Sequence, residues 1–329
     1  MTDTANAVAT RPAPWRFAAP WGGHGYLSDL DGAGASPVHW IEFDSTSPAG
    51  QTPIVYVHGL GGSHLNWGPV GTPLAQGRRA FALDLHGFGL TPGTRGNSSV
   101  KANADLVDRF ICDVVGTPAI LVGNSMGGLI SMVQAAAVPS SVRALVLLNP
   151  ALPLPARKPD PTVALQFLLY TVPGFGELYL SRVLARRSPE LAVQQVIELC
   201  FADPSRADPE MITASVALAA HRLGERQGDR RLARASDQAF LSASRSLMRL
   251  VGLQRRYWDM MASIQVPVLL IGGDADRLVP VAAVRQAGAR HPRWDTVVLA
   301  GVGHTPMLEV PDQVTGLVRD WLTENLPGA

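Results

Sequence analysis

The chain has 329 residues, of which 47% are hydrophobic and 17% charged, a composition typical of a compact globular protein and not of a disordered one. Its formal net charge of +1 gives no reason to expect a nucleic-acid partner. Two cysteines, Cys112 and Cys200, are too few for a disulfide framework and lack the spacing of a metal site, so we predict no metal and place Cys112 in the core.

Residues 1–20 are rich in Ala, Thr and Pro, which predicts a loose N-terminal arm. This region lacks the basic segment and apolar stretch of a secretory signal, so we expect a cytoplasmic location. The longest apolar run, 163–172, is too short to cross a bilayer. We therefore expect no stable membrane insertion.

After the arm, apolar runs and helical patterns alternate along the chain. Residues 38–43 alternate between apolar and polar side chains, which indicates a half-exposed strand. Six short apolar runs predict buried strands at 54–57, 80–83, 119–122, 144–148, 268–271 and 296–299. Strands separated by helices predict an α/β fold with a mostly parallel, doubly wound sheet.

The segment 151–262 interrupts this alternation. It opens with four prolines and then carries apolar residues at helical spacing over 163–170, 189–200, 209–223 and 236–258. The run 163–170 has few polar residues, so it either lines an apolar substrate pocket or is simply a buried helix. The basic stretch 222–234 is interpreted as a solvated face rather than an anion site.

Ser125 lies in the most informative stretch of the chain, 120–129. A strand-like run leads into Gly-Asn-Ser-Met-Gly and then into a helical pattern, the context of a G-x-S-x-G nucleophile elbow. Small residues permit a sharp turn that lifts the hydroxyl from the sheet, and the next helix directs its free N–H groups toward a developing oxyanion. An ordinary strand-to-helix turn is the alternative, but the flanking strand and helix favour the elbow.

A serine nucleophile needs a base that is held by a third group. His304 follows the predicted strand 296–299 in a glycine-containing loop, and Asp274 and Asp276 follow the strand 268–271. The order along the chain is therefore Ser, Asp, His, as in α/β-hydrolases and unlike chymotrypsin or subtilisin.

Four blocks, 55–62, 83–89, 122–128, and 276–280 with 303–304, resemble the α/β-hydrolase superfamily, in its serine-nucleophile branch with a helical cap. The resemblance implies an α/β-hydrolase core formed by 21–150 and 263–329. It implies that 151–262 is the cap, although no motif there matches the family.

The resemblance also implies roles for individual residues. Ser125, Asp276 and His304 would form a catalytic triad, because Asp276 has the family's Asp-x-x-Val-Pro spacing and Asp274 is better explained as a turn residue. The backbone N–H groups of Leu60 and Met126 would form the oxyanion hole.

Three further histidines need interpretation. His58 is interpreted as a buried loop residue that shapes the oxyanion hole, and less favourably as the base. His64 could face the pocket or solvent. His86 stands where the family often has proline, which removes a fixed φ angle but leaves the triad untouched.

This resemblance implies a cofactor-free serine hydrolase that cleaves a small or medium, mainly apolar carboxylic ester through an acyl-enzyme. A serine nucleophile argues against the dehalogenase and epoxide hydrolase branches, which use aspartate. Two alternatives stay open: hydrolysis of a C–C bond in a vinylogous diketone, and a ligand-binding receptor of the same fold. Thr305-Pro306 after His304 departs from the tryptophan common in the C–C hydrolases.

Overall fold

The computed structural model describes residues 8–30, 36–45, 50–153, 170–182 and 187–326. Its centre is a nine-stranded sheet with the strand order β1-β2-β3-β5-β4-β6-β7-β8-β9. The strands are β1 Thr10–Pro12, β2 Gly23–Ser28, β3 Val38–Phe43, β4 Ile54–Val57, β5 Ala80–Leu83, β6 Ala119–Asn124, β7 Val142–Leu148, β8 Val268–Gly273 and β9 Asp295–Leu299. Pairing is parallel from β5 through β9, which confirms the predicted α/β fold class. The predicted burial of 296–299 is wrong, because β9 is an edge strand in which only Leu299 is buried.

The first three strands form an antiparallel edge beside β5. Strand β3 was predicted, but its predicted half exposure is wrong, because five of its six residues are buried. Strands β1 and β2 were not predicted. Because Thr10–Pro12 pairs with Tyr26–Ser28, this part of the predicted arm is attached to the sheet and is not loose. Ala18, which follows it, is also buried.

Helices cover the sheet and bury both of its faces. They are α1 Gly68–Leu74, α2 Val100–Phe110, α3 Met126–Ala137, α9 Val281–Arg290, α10 Pro306–Glu309 and α11 Pro311–Asn325. Alternate residues of β4 enter different apolar clusters, Val55 and Val57 on one face and Ile54 and Tyr56 on the other. Successive side chains of a strand point to opposite faces, and both faces of this sheet are buried, so the central strands are continuous apolar runs in the sequence.

Between β7 and β8 the described chain is helical. It contains α4 Phe175–Arg182, α5 Pro189–Cys200, α6 Pro209–Gly228, α7 Arg230–Gly252 and α8 Gln254–Ser263. The predicted helix 236–258 is wrong in its bounds, because α7 begins at Arg230 after its Asp229 cap and Leu253 separates it from α8. Most of the predicted helix 163–170 lies outside the described residues.

Cys112 is exposed, so its predicted core position is wrong. The reason is that α2 ends at Phe110 and the chain continues as a π-helical turn over Ile111–Val115, in which Cys112 faces outward. No helix in the described parts of the chain is long and apolar enough to cross a bilayer.

Candidate active site

Ser125 occupies a strained turn between β6 and α3. Its φ is 53° and its ψ is −119°, outside the regions that non-glycine residues prefer, which costs about 1–3 kcal/mol. Asn124 and Met126 on either side are buried, whereas Ser125 is partly exposed. The strain therefore brings the hydroxyl out of the sheet beside the N-terminus of α3, where free N–H groups favour negative charge.

Glycines make this turn sterically feasible. A Cβ on Gly127 would lie 2.0 Å from the carbonyl oxygen of Val57, and one on Gly123 would lie 2.6 Å from the carbonyl oxygen of Gly127. No side chain fits at such distances, so the G-x-S-x-G spacing reflects a close approach of α3 to the ends of β4 and β6.

His304 and Asp276 meet above the carboxyl ends of β8 and β9. The Nδ1 atom of His304 lies 2.7 Å from Oδ2 of Asp276, and both side chains are buried. The other oxygen of Asp276 accepts hydrogen bonds from the N–H groups of Leu278 and Val279, at 2.7 and 2.9 Å. The carboxylate is thus fixed on both sides and can hold one orientation of the imidazole ring.

Asp274 has a different position. It is exposed, and its Oδ1 accepts the N–H of Gly301 at 2.7 Å, which ties the loop after β8 to the loop after β9. The structure therefore brings Asp276, and not Asp274, to His304.

Two asparagines that sequence reasoning did not identify bond to the loop that carries His304 (the histidine loop), Asn124 from the elbow and Asn149 from the end of β7. Asn124 donates to the carbonyl oxygens of Leu148, at 2.9 Å, and His304, at 3.0 Å. Asn149, with a φ of 42°, donates to Gly303 O at 2.8 Å and accepts from Gly273 N at 2.9 Å. Their signal in the sequence is their place at the ends of β6 and β7, where side chains of parallel strands converge.

The loop after β4 lies against the elbow. A Cβ on Gly59 would be 3.0 Å from the Cβ of Ser125, so the backbone of Gly59 and Leu60 passes close to the nucleophile candidate. Leu60 itself is half-buried and Met126 is fully buried. The two predicted oxyanion donors thus belong to segments that flank Ser125.

His58 holds this loop in place as a neutral imidazole. Its Nε2 accepts the N–H of Leu85 at 3.1 Å, so the proton is on Nδ1, which donates to Gly59 O at 2.8 Å. Burial lowers the pKa of His58 to about 4, which agrees with a neutral ring. The predicted role of His58 as a buried loop residue fits these contacts.

Asp84 forms a second, fully buried polar cluster behind this loop. Its Oδ1 accepts His64 N at 2.7 Å, and its Oδ2 accepts Nδ1 of His64 at 2.9 Å, Nδ1 of His39 at 2.8 Å and Leu90 N at 2.8 Å. Burial alone would raise the pKa of Asp84, but attraction to His64 and the hydrogen bonds from both histidines lower it well below its usual range. His64 therefore faces neither the pocket nor solvent.

His39, His64 and Asp84 also have the composition of a metal site. One donor atom from each lies within 4.8 Å of the others, a grouping that occurs at no second place in the described part of the chain. All three donor atoms are already joined by hydrogen bonds. We interpret the cluster as a set of structural hydrogen bonds that hold the loops after β4 and β5 in place.

The helical segment between β7 and β8 contacts these same loops. The ring of Phe240 on α7 lies 3.9 Å from the Cβ position of Gly61 and 6.4 Å, centroid to centroid, from Phe88. Arg222 on α6 donates to the carbonyl oxygen of Gly87 at 3.0 Å. Because Arg222 makes this contact, the predicted solvated basic face fits Arg230, Arg231 and Arg234 but not Arg222.

The histidine loop is bonded to the end of α5 through Glu309, which sequence reasoning also missed. This buried carboxylate accepts the N–H groups of Gly303 at 2.7 Å, Asp203 at 3.0 Å and Ala202 at 3.1 Å, and Arg206 donates to it at 3.1 Å. His304 N also donates to the carbonyl oxygen of Cys200 at 2.6 Å. One acidic side chain thus fixes His304's loop relative to the inserted helices.

Cys200 lies at this junction but has no features of a reactive thiol. Burial, reinforced by the nearby charge of Asp276, raises the pKa of Cys200 to about 12. A thiol with that pKa is protonated near neutral pH, and the thiolate is the reactive form.

Comparison with known proteins gives one family. A model described as alpha/beta hydrolase fold matches residues 52–311, more than half of the chain. The chain is 27% identical over 271 residues to a pimeloyl-(acyl-carrier protein) methyl ester esterase of Aeromonas salmonicida, covering 82% of this chain and 95% of that protein.

It is also 27% identical over 287 residues to the dihydrolipoyllysine-residue acetyltransferase component of the acetoin cleaving system of Pseudomonas putida, covering 85% of this chain but only 65% of that longer protein. Among solved structures, Cfl2 from Burkholderia cenocepacia superposes with a TM-score of 0.73 at 21% identity, covering 95% of this chain and 99% of the other. That likeness shows the fold.

Proposed function

The chain belongs to the alpha/beta hydrolase fold family, and we propose that it is a cofactor-free carboxylic ester hydrolase in which Ser125 forms an acyl-enzyme. The single observation that carries this proposal is the His304–Asp276 hydrogen bond, at 2.7 Å, in a loop bonded to the residue beside the strained Ser125. Acyl transfer requires a serine and a base that is oriented by a carboxylate, and this chain has a partly exposed serine and such a base on segments that are bonded to each other.

The proposed reaction begins with attack of Ser125 Oγ on the ester carbonyl carbon. Because Nδ1 of His304 donates to Asp276, Nε2 is the nitrogen that takes the serine proton. The tetrahedral intermediate then collapses, the C–O bond to the alcohol breaks, and His304 returns the proton to the leaving oxygen. Water attacks the acyl-enzyme by the same steps and releases the acid.

The oxyanion of each tetrahedral intermediate would be held by the N–H groups of Leu60 and Met126. Each donor would contribute about 3 kcal/mol by analogy with measured oxyanion holes. His58 and the Asp84 cluster support this part of the proposal, since both anchor the loop that carries Leu60.

An ester substrate is favoured by the serine nucleophile and by the Aeromonas relative, which is named as an esterase. We propose a small or medium, mainly apolar ester, because Phe240 and Phe88 are among the side chains beside the loop after β4, which carries Leu60. We further propose that the helices between β7 and β8 act as the cap over Ser125. Of the run 163–170, for which pocket lining and simple burial in a helix both stayed open, residues 163–169 lie outside the described residues.

The test is turnover of p-nitrophenyl esters of increasing acyl length by the wild type, Ser125→Ala and Ser263→Ala. Ser263 is an exposed serine on α8 and serves as the matched control. We expect the wild type and Ser263→Ala to be equally active and Ser125→Ala to lose at least about a thousandfold in kcat. Equal activity of Ser125→Ala would refute the proposal, and cleavage of a vinylogous diketone without ester turnover would establish the C–C hydrolase instead.

A further inference from the structure

The outward face of α7 forms one wall of a pocket that the proposed reaction does not use. The pocket has a volume of about 300 Å³ and faces α4 and the loop before α2. We call it the arginine pocket and define it by the six residues Arg95, Glu177, Ser242, Arg245, Ser246 and Arg249.

The periodicity of α7 separates this pocket from the candidate active site. Ser242, Arg245, Ser246 and Arg249 recur at intervals of three or four residues and therefore share one face of the helix. Phe240 projects from the opposite side and approaches Phe88, whereas Ala239 lies at the border of the pocket face, against Gly87. Ser125 is not among the residues that line the pocket. A ligand in the arginine pocket would thus bind without touching Ser125.

The charge of the pocket is only partly balanced. Arg245 makes two parallel hydrogen bonds to the carboxylate of Glu177, at 3.1 and 3.2 Å, so these two side chains neutralise one another. Neither Arg95 nor Arg249 has a carboxylate partner within the part of the chain that the structure describes. Three arginines and one glutamate leave a formal charge of +2 in a protein whose total is +1.

Hydrogen bonds between separate segments fix the frame of the pocket. The hydroxyl of Ser242 donates to the carbonyl oxygen of Arg95 at 2.8 Å, which holds the Arg95 loop against α7. The N–H of Val100, the first residue of α2, donates to Ser246 Oγ at 2.7 Å. The positive end of the α2 dipole therefore lies beside the arginines and adds to the same electrostatic potential.

We propose that the arginine pocket binds a phosphomonoester dianion. Guanidinium groups form paired, charge-assisted hydrogen bonds with phosphate oxygens, and two uncompensated arginines match two negative charges. A carboxylate would neutralise only one of them. A volume of about 300 Å³ holds the phosphate group together with a small organic substituent.

The experiment is calorimetric titration of the full chain with glycerol 3-phosphate, inorganic phosphate and acetate at low ionic strength. The test variant is Arg95→Ala/Arg249→Ala. Its control is Arg230→Ala/Arg231→Ala, which removes the same charge by replacing two exposed arginines at the start of α7. Thermal melting and p-nitrophenyl ester turnover show that each variant is folded.

We expect both phosphates to bind the wild type and the control with equal affinity, and acetate to bind more weakly. Removing Arg95 and Arg249 should weaken phosphate binding by at least about tenfold, and Arg249→Gln alone should give an intermediate loss. The proposal is overturned if neither glycerol 3-phosphate nor inorganic phosphate gives binding heat with the wild type at millimolar concentration. It is also overturned if both double variants weaken phosphate binding equally. Because the experiment measures phosphate binding, its result does not depend on whether the chain hydrolyses esters.

Discussion

His304 and Asp276 are joined by a 2.7 Å hydrogen bond although they lie on loops that follow different strands. The loops are held together by Asp274, whose carboxylate accepts the N–H of Gly301 at 2.7 Å. The two aspartates thus have distinct tasks two residues apart: one orients the imidazole, and the other ties the loops.

Replacing each aspartate by asparagine separates these tasks. Asp276→Asn should lower kcat by about ten-thousandfold, because an amide donor opposite Nδ1 favours the wrong imidazole tautomer. Asp274→Asn, at an exposed position, should keep kcat within about threefold of the wild type. Steady-state kinetics of both variants on one p-nitrophenyl ester measures this, and a larger loss for Asp274→Asn would reverse the assignment.

Glu309 is predicted to position His304 without touching substrate. Glu309→Gln replaces one acceptor oxygen by a donor, so N–H groups of Ala202, Asp203 or Gly303 lose their partner. We expect kcat to fall by about ten- to a hundredfold through displacement of the histidine loop, with a smaller change in KM. Glu324→Gln, an exposed control on α11, should change neither constant. An unchanged kcat in Glu309→Gln would show that this carboxylate has no such role.

Two glycine-to-alanine substitutions should have opposite effects on the free energy of unfolding. Gly127→Ala would place a Cβ 2.0 Å from Val57 O and should destabilise the fold by about 3 kcal/mol or more. Gly316→Ala, inside α11 with open space around its Cβ position, should stabilise it by about 0.5–1 kcal/mol. Urea unfolding compares the two, and a neutral Gly127→Ala would contradict the close approach of α3 to β4.

The buried histidine His58 should make stability depend on pH. Its pKa falls from 6.5 in the unfolded chain to about 4 in the fold. As the pH is lowered, the imidazole of His58 is therefore protonated in the unfolded chain before it is protonated in the folded protein. Its contribution is fully present above pH 6.5 and is lost as the pH falls toward 4, a change of about 3 kcal/mol.

His58→Gln removes that proton uptake. Gln can still accept from Leu85 N and donate to Gly59 O, so the variant should fold. Its unfolding free energy, measured by urea titration at several pH values, should decline less steeply than that of the wild type between pH 6.5 and 4. Identical slopes would show that His58 is not the group responsible. His39, whose pKa is also lowered by burial, contributes the same sign to both proteins.

The sequence predicted those parts of the fold and site whose signals are local. The central strands are continuous apolar runs because both their faces are buried, and Ser125 and the spacing around Asp276 are visible without any tertiary contact. The family match over residues 52–311 confirms the fold class inferred from them. The catalytic roles of Ser125, Asp276 and His304 stay predictions.

What the sequence did not reveal depends on distant contacts. Glu309 bonds to residues more than a hundred positions away and has no local pattern. Asn124 has only its place at the end of β6 as a signal, and its partner His304 lies 180 positions away. Strand β1 was not predicted because it has only three residues at the sheet edge, too few to show an alternation of apolar and polar side chains. The predicted burial of Cys112 was wrong because the chain forms a π-helical turn over Ile111–Val115. Such a turn changes which residues point toward the core, so α-helical periodicity does not apply there.

The most direct measurement of the central claim is covalent labelling of the intact chain with a fluorophosphonate, followed by whole-protein mass and peptide mapping. We predict one added phosphonyl group, on Ser125, in the wild type and in Ser263→Ala, and none in Ser125→Ala. His304→Ala should also resist labelling, because the hydroxyl then lacks its base. Labelling of Ser125→Ala at another residue, or an unlabelled wild type, would contradict the assignment of Ser125 as the nucleophile.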